Sequence, residues 1–128
     1  MNRFCLAAVV VTALAATRFD APHAAAQAPD AAQPRRVSVH VVAERFRFSP
    51  DQIKIRRGET IEFHLESDDT DHGFRILDTD IDRVIPKRGR GEITVTFTPD
   101  RAGRYSFECS KLCGAGHDFM HGVVVVED

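Results

Sequence analysis

Between Cys109 and Met120 the chain reads Cys-Ser-Lys-Leu-Cys-Gly-Ala-Gly-His-Asp-Phe-Met, so two thiols, one imidazole and one thioether fall within twelve residues. Thiolate and thioether are soft donors that favour Cu(I), and imidazole suits copper in either oxidation state. A mixed set of this kind fits an ion that cycles between Cu(I) and Cu(II). Gly114 and Gly116 let the backbone turn sharply, so that ligands on either side can face one point. Blander readings explain less. A disulfide between Cys109 and Cys113 suits an oxidising compartment but leaves His117 and Met120 without a role. A zinc site of two Cys and two His is possible chemistry, but Met is not a usual zinc ligand. Alone, His117 reads as a surface histidine and Met120 as core filler. Apart from Met1, however, Met120 is the one methionine of the chain, and it falls in register with the other donors.

One loop rarely closes a coordination sphere, so a second histidine is needed. His40 and His64 occupy alternating stretches in which the opposite parity carries the apolar residues, and both are expected to face solvent. His72 follows Asp69-Thr70-Asp71 and precedes Gly73-Phe74, at the junction of a loop and a strand. A rigid strand end is a good place from which to present a ligand, and His72 is the expected partner. Asp69 and Asp71 flank it and are candidates to orient its ring, although either carboxylate alone reads as a solvated loop charge.

The elements that must position these residues repeat with period two. Val37, Val39 and Val41 alternate with Ser38, His40 and Val42; Ile61, Phe63 and Leu65 with Glu62, His64 and Glu66; Ile93, Val95 and Phe97 with three threonines. Shorter pieces surround Phe46-Phe48, Ile53-Ile55, Phe74-Leu77 and Tyr105-Phe107. Residues 78–91 read as mostly loop, with one short strand near Val84-Ile85. The apolar run Val123–Val126 predicts a strand buried on both faces. No stretch has helical periodicity, and turn signals recur about every 8 to 12 residues. An all-β sandwich or barrel of seven or eight strands follows.

The 128 residues include 17 Lys+Arg and 19 Asp+Glu, a net charge of −2, which argues against a nucleic-acid module. Met1-Asn2-Arg3 and the thirteen-residue apolar run Phe4–Ala16 resemble the start of an export signal. As a helix that run rises only ~20 Å, short of the ~30 Å hydrocarbon core. Small residues at 24–26 suit a cleavage site, with 13–15 as a second candidate. Residues 1–26 are thus expected to be a signal peptide, 27–35 a linker and 36–128 the folded domain, without a transmembrane helix and delivered to the periplasm. Removal of residues 1–26 leaves 15 basic and 18 acidic residues, hence −3.

The loop C-S-x-x-C-G-x-x-H-x-x-M, with the segment D-x-x-H-x-F at Asp69, His72 and Phe74, resembles the copper A (CuA) domain of the cytochrome c oxidase subunit II family. The likeness runs from about Val41 to Val126. It implies a cupredoxin-like Greek-key β-sandwich holding two copper ions bridged by two cysteine sulfurs. By position, Cys109 and Cys113 would bridge the ions, His72 and His117 would each bind one, and Met120 and the Lys111 carbonyl would be weak ligands. An electron spread over two metals changes the charge on each only slightly, so ligand bonds need move little during electron transfer.

Three departures from the family pattern are visible. There is one short apolar segment where the family carries two membrane helices. Lys111 replaces a glutamate that normally helps to hold magnesium at the catalytic-subunit interface, and there is no Trp for the usual electron-entry patch. Together these predict a stand-alone exported electron carrier rather than an ordinary oxidase subunit. Its expected partners are redox proteins, either a c-type cytochrome or a terminal oxidase. The alternatives are copper delivery or buffering, with a chaperone or cuproprotein as partner, and a mononuclear blue-copper site that leaves Cys109 unexplained. No Ser-His-Asp set or open coordination position suggests catalysis by the chain itself.

Overall fold

The computed structural model describes residues 34–128, which form nine strands and one short 3₁₀ turn. The expected signal peptide and most of the expected linker lie outside the described residues. Among the described residues no helix is long and apolar enough to cross a membrane. The strands are β1 (Arg36–Glu44), β2 (Arg47–Ser49), β3 (Gln52–Arg56), β4 (Thr60–Ser67), β5 (His72–Ile76), β6 (Asp82–Ile85), β7 (Ile93–Phe97), β8 (Gly103–Glu108) and β9 (His121–Glu127). They make a sandwich of two sheets, ordered β2-β1-β4-β7 and β3-β9-β8-β5-β6. The β1–β4 and β3–β9 pairs are parallel and the remaining pairs antiparallel.

The period-two pattern produces this architecture directly. In β4 the side chains of Ile61, Phe63 and Leu65 are fully buried, while Glu62 and His64 between them lie on the outer face. Phe48, Phe63, Phe74 and Phe107 meet between the sheets with ring centroids 5.0–6.4 Å apart, and each such ring contributes ~1.5–3 kcal/mol through burial. The count is nine rather than the expected seven or eight, and the short strand expected near Val84-Ile85 is present as β6 (Asp82–Ile85), an edge strand beside β5 in which only Ile85 is buried. The expectation for β9 needs correction as well. Val124 and Val126 are buried, but Val123 and Val125 are only partly so, because a two-layer sandwich has no third layer to cover the outer face of even a central strand.

The strand directions also gather three termini. β5 runs antiparallel to β8, and β8 antiparallel to β9. The start of β5, the end of β8 and the start of β9 therefore lie at one end of the five-stranded sheet.

Candidate metal centre

His72 is the first residue of β5 and is completely buried. Cys109 immediately follows β8, and Cys113 lies in the loop between β8 and β9. His117 opens the 3₁₀ turn His117–Phe119, and Met120 directly precedes β9. Cys109, Cys113 and Met120 are buried and His117 is half-buried. The Cys109 N–H donates to the Met120 carbonyl at 3.0 Å, which closes the loop at its base.

The donor atoms follow one another around the two sulfurs. Cys109 Sγ lies 3.8 Å from Cys113 Sγ. His72 Nδ1 is 3.8 Å from Cys109 Sγ, and the Lys111 carbonyl oxygen is 3.1 Å from that sulfur. His117 Nδ1 is 3.8 Å from Cys113 Sγ, and Met120 Sδ is 4.0 Å from it. The ligand atoms of His72, Cys109 and Cys113 all lie within 4.8 Å of one another. A sulfur separation of 3.8 Å is far beyond a disulfide bond of ~2.05 Å, and both cysteines are free thiols. It matches two ~2.3 Å metal–sulfur bonds opening an angle of about 110°. The residues present therefore fit a soft metal: buried sulfur, imidazole nitrogen turned inward and one backbone carbonyl.

The His72 ring is held from behind. Its Nε2 lies 2.7 Å from Asp69 Oδ1, which turns Nδ1 toward Cys109. Asp69 accepts further hydrogen bonds from the Thr70 and Arg45 backbone N–H groups, at 2.7 and 3.0 Å. Burial opposes ionisation of this carboxylate, but the hydrogen bonds from His72, Thr70 and Arg45 outweigh it and bring the pKa down to about 2. Asp69 is thus a built-in part of the site and not the solvated charge that it resembles in isolation. Asp71 does something else, accepting from the Lys87 N–H at 2.8 Å and so tying down the loop between β6 and β7. Burial, and then the neighbouring Cys109 sulfur, push the Cys113 thiol up to about 11. Metal entry must therefore displace a proton there. Exchanging Asp69 for Asn is expected to weaken metal retention about 10–100-fold, the usual range for a group that orients a ligand. Competition with a coloured Cu(I) chelator measures it.

Other contacts around the ligand loop are invisible in the local pattern. Arg45, in the turn between β1 and β2, donates from Nε to the Cys113 carbonyl at 2.9 Å. The adjacent Phe46 ring lies against the loop: a Cβ on Gly116 would come within 2.5 Å of Phe46 Cγ, and one on Gly114 within 2.9 Å of Cε1. Gly114 does use a left-handed backbone, with φ of 142°, whereas Gly116 has φ of −100°. At Gly116 it is therefore the Phe46 ring, and not a sharp turn, that demands glycine. His40 is exposed as expected, whereas His64 is only partly so, its ring enclosed by Glu62 and Glu92. Neither is among the donors that cluster at the candidate centre.

Comparison with known proteins places this geometry in context. The family model for the cupredoxin-like domain matches residues 5–126. Cytochrome c oxidase subunit 2 of Thermus thermophilus is 37% identical over 105 residues, covering 80% of this chain and 75% of that relative. Among solved structures, a chain of a heme-copper terminal oxidase dimer superposes with a TM-score of 0.63 at 28% identity, over 73% of this chain and 65% of that one. The periplasmic domain of subunit II of cytochrome oxidase (CoxB) from Bradyrhizobium japonicum also gives a TM-score of 0.63. Its 17% identity, over 71% of this chain and 84% of that one, shows the shared fold alone. Nine strands in two sheets, a His-Cys-Cys cluster at one end and a subunit 2 relative matched along three-quarters of its length lead to one assignment: the chain belongs to the cupredoxin-like domain family and, within it, to the cytochrome c oxidase subunit 2 family.

Proposed function

We propose that this protein is an exported, periplasmic electron carrier whose ligand loop and His72 hold two copper ions in a CuA-type centre. The observation that carries this reading is the division of the donors into two similar halves. His72 Nδ1 and the Lys111 carbonyl gather at Cys109, while His117 Nδ1 and Met120 Sδ gather at Cys113. A mononuclear site of Cys113, His117, Met120 and His72 would leave Cys109 and the Lys111 carbonyl without a role, whereas a two-ion centre would use all six donors. When bound, the copper pair supplies a one-electron couple. The chain supplies a buried set of soft ligands, an imidazole fixed by Asp69 and a loop braced by Arg45 and Phe46, so that the geometry is the same before and after the electron moves.

The partner is proposed to be a redox protein, as the subunit 2 relationship implies, docking over the ligand loop. Leu112 and Phe119 are 79% and 76% exposed there, on either side of half-buried His117. In a chain without Trp they offer the apolar contact through which a partner can approach that imidazole.

The test is copper stoichiometry together with an EPR spectrum of the chain refolded under reducing conditions and loaded with copper. Two coppers per chain, with hyperfine splitting shared between two nuclei, is the expected result. One copper with single-nucleus splitting would replace this reading by a mononuclear carrier, and no copper with a Cys109–Cys113 disulfide would remove copper altogether.

A further inference from the structure

A second group of side chains with metal-ligand chemistry lies on the outer face of the four-stranded sheet. His40 of β1 and His64 of β4 are directly opposed in the parallel β1–β4 register. Their rings stack with centroids 4.7 Å apart and an interplanar angle of 18°. Both Nδ1 atoms turn to the same carboxylate, that of Glu92, which immediately precedes β7. Glu92 Oε1 is 2.8 Å from His64 Nδ1, and Oε2 is 3.7 Å from His40 Nδ1. The remaining nitrogen of His64, Nε2, lies 3.1 Å from Glu62 Oε1.

We propose that His40, His64 and Glu92 form a binding site for a borderline divalent cation of the Zn(II) or Cu(II) class, separate from the candidate copper centre. Three arguments carry it. First, imidazole and carboxylate are the donors that such ions select. Two donors bonded at ~2.1 Å in tetrahedral geometry stand about 3.4 Å apart, and the observed 2.8 and 3.7 Å bracket that span. The three do not converge as closely as the donors of the candidate copper centre, so exposed His40 must close on the other two. Second, Glu62 and Glu92 hold the His64 ring by its two nitrogens, at 3.1 and 2.8 Å, so its orientation is fixed and Nδ1 becomes a ligand once a cation takes the place of its proton. This is the carboxylate–histidine arrangement that orients metal ligands, and the same relation that Asp69 has to His72. Third, the charge is unbalanced. Arg36 stands 3.5 Å from Glu62, but among the described residues Glu92 has no Lys or Arg partner, only the two imidazoles. The negative charge of Glu92 is met only by a proton on imidazole, which a divalent cation can replace. The same demand raises the pKa of His64, chiefly through its hydrogen bond to Glu92 and against the opposing effect of burial. A bound ion would tie together β1, β4 and the segment entering β7, three strands of one sheet.

Zn(II) is the probe, because it has no redox chemistry of its own. The full chain and its His40→Ala, Glu92→Gln and His40→Ala/His64→Gln variants are titrated by calorimetry, with histidine ring resonances followed by NMR. Zinc taken up by Cys109 and Cys113 is common to all four proteins and cancels in the comparison. The copper EPR test above is unaffected by the result. The wild-type chain is expected to take up one more Zn(II) than the double variant, with the His40 and His64 resonances moving together at that equivalent while His121 stays still. Affinity for that ion falls about tenfold or more in each single variant, and zinc raises the melting temperature of wild type more than that of the double variant. His40 is exposed, so His40→Ala keeps the comparison valid even where substitution of His64 disturbs folding. Equal stoichiometry and affinity in wild type and His40→Ala, or His40 and His64 resonances that ignore zinc, would overturn the proposal and leave the cluster as a histidine–carboxylate hydrogen-bond network.

Discussion

Exchanging Cys109 for serine is expected to abolish the two-nucleus EPR spectrum of the copper-loaded chain and to lower copper content to one ion or none. Cys109 Sγ has the most partners of any atom in the candidate centre: Cys113 Sγ, His72 Nδ1, the Lys111 carbonyl and the Gly73 N–H, at 3.8, 3.8, 3.1 and 3.4 Å. A serine oxygen is a hard donor, poorly matched to Cu(I), and it reaches less far. The fold itself should survive, since serine is smaller than cysteine and the aromatic core between the sheets is untouched. Circular dichroism of the metal-free variant checks that point independently. Retention of the two-nucleus spectrum in Cys109→Ser would mean that the sulfurs do not share the ions, and the dinuclear reading would fall.

The second large effect is expected at Gly73, a residue with no donor of its own. It lies between His72 and Phe74 in β5, buried, with the backbone of the ligand loop at Ser110 and Lys111 close against it. A Cβ there would stand 2.5 and 2.6 Å from the backbone nitrogens of Lys111 and Ser110. Backbone cannot swing aside as a flexible side chain can, so Gly73→Ala must lift the loop from the strand. Overpacking of this kind costs ~1–3 kcal/mol, and here the movement separates His72 from Cys109. Melting of the metal-free variant should show that modest loss. Copper binding should fall far more steeply, because ligand geometry tolerates displacement much less than the core does. A variant that loses stability but binds copper as wild type does would show that the loop repacks without parting from His72.

The legibility of the candidate centre followed distance along the chain. Cys109, Cys113, His117 and Met120 lie within one loop, where spacing alone gathers them, and His72 was marked by its place at the head of a strand. Asp69 was visible only as one of two similar carboxylates. That it meets His72 Nε2 while Asp71 meets the Lys87 N–H depends on how the loop after β4 turns, and no residue pattern records that. Arg45 and Phe46 were missed as supports of the site altogether. Their contacts with Cys113, Gly114 and Gly116 span about seventy residues and exist only because the β1–β2 turn lies against the ligand loop. A glycine following directly on a predicted ligand, as Gly73 does, is the one local sign that something approaches closely.

By itself, then, the sequence determined the class of fold, the end of the chain that carries the chemistry and the kind of metal the chemistry suits. Alternation with period two and the softness of sulfur donors are local properties, settled residue by residue. Tertiary structure alone decided which strands are neighbours, and so everything that depends on neighbours. It opposed His40 to His64 across the parallel β1–β4 pair, left the outer face of β9 half-covered, and gave each sulfur its own histidine. Burial pattern assigns a side chain to a face of its strand, but the free energy of apolar burial has no direction within that face. Which residue stands beside which is set by register and by loop closure, and these come into being only when the whole sandwich packs.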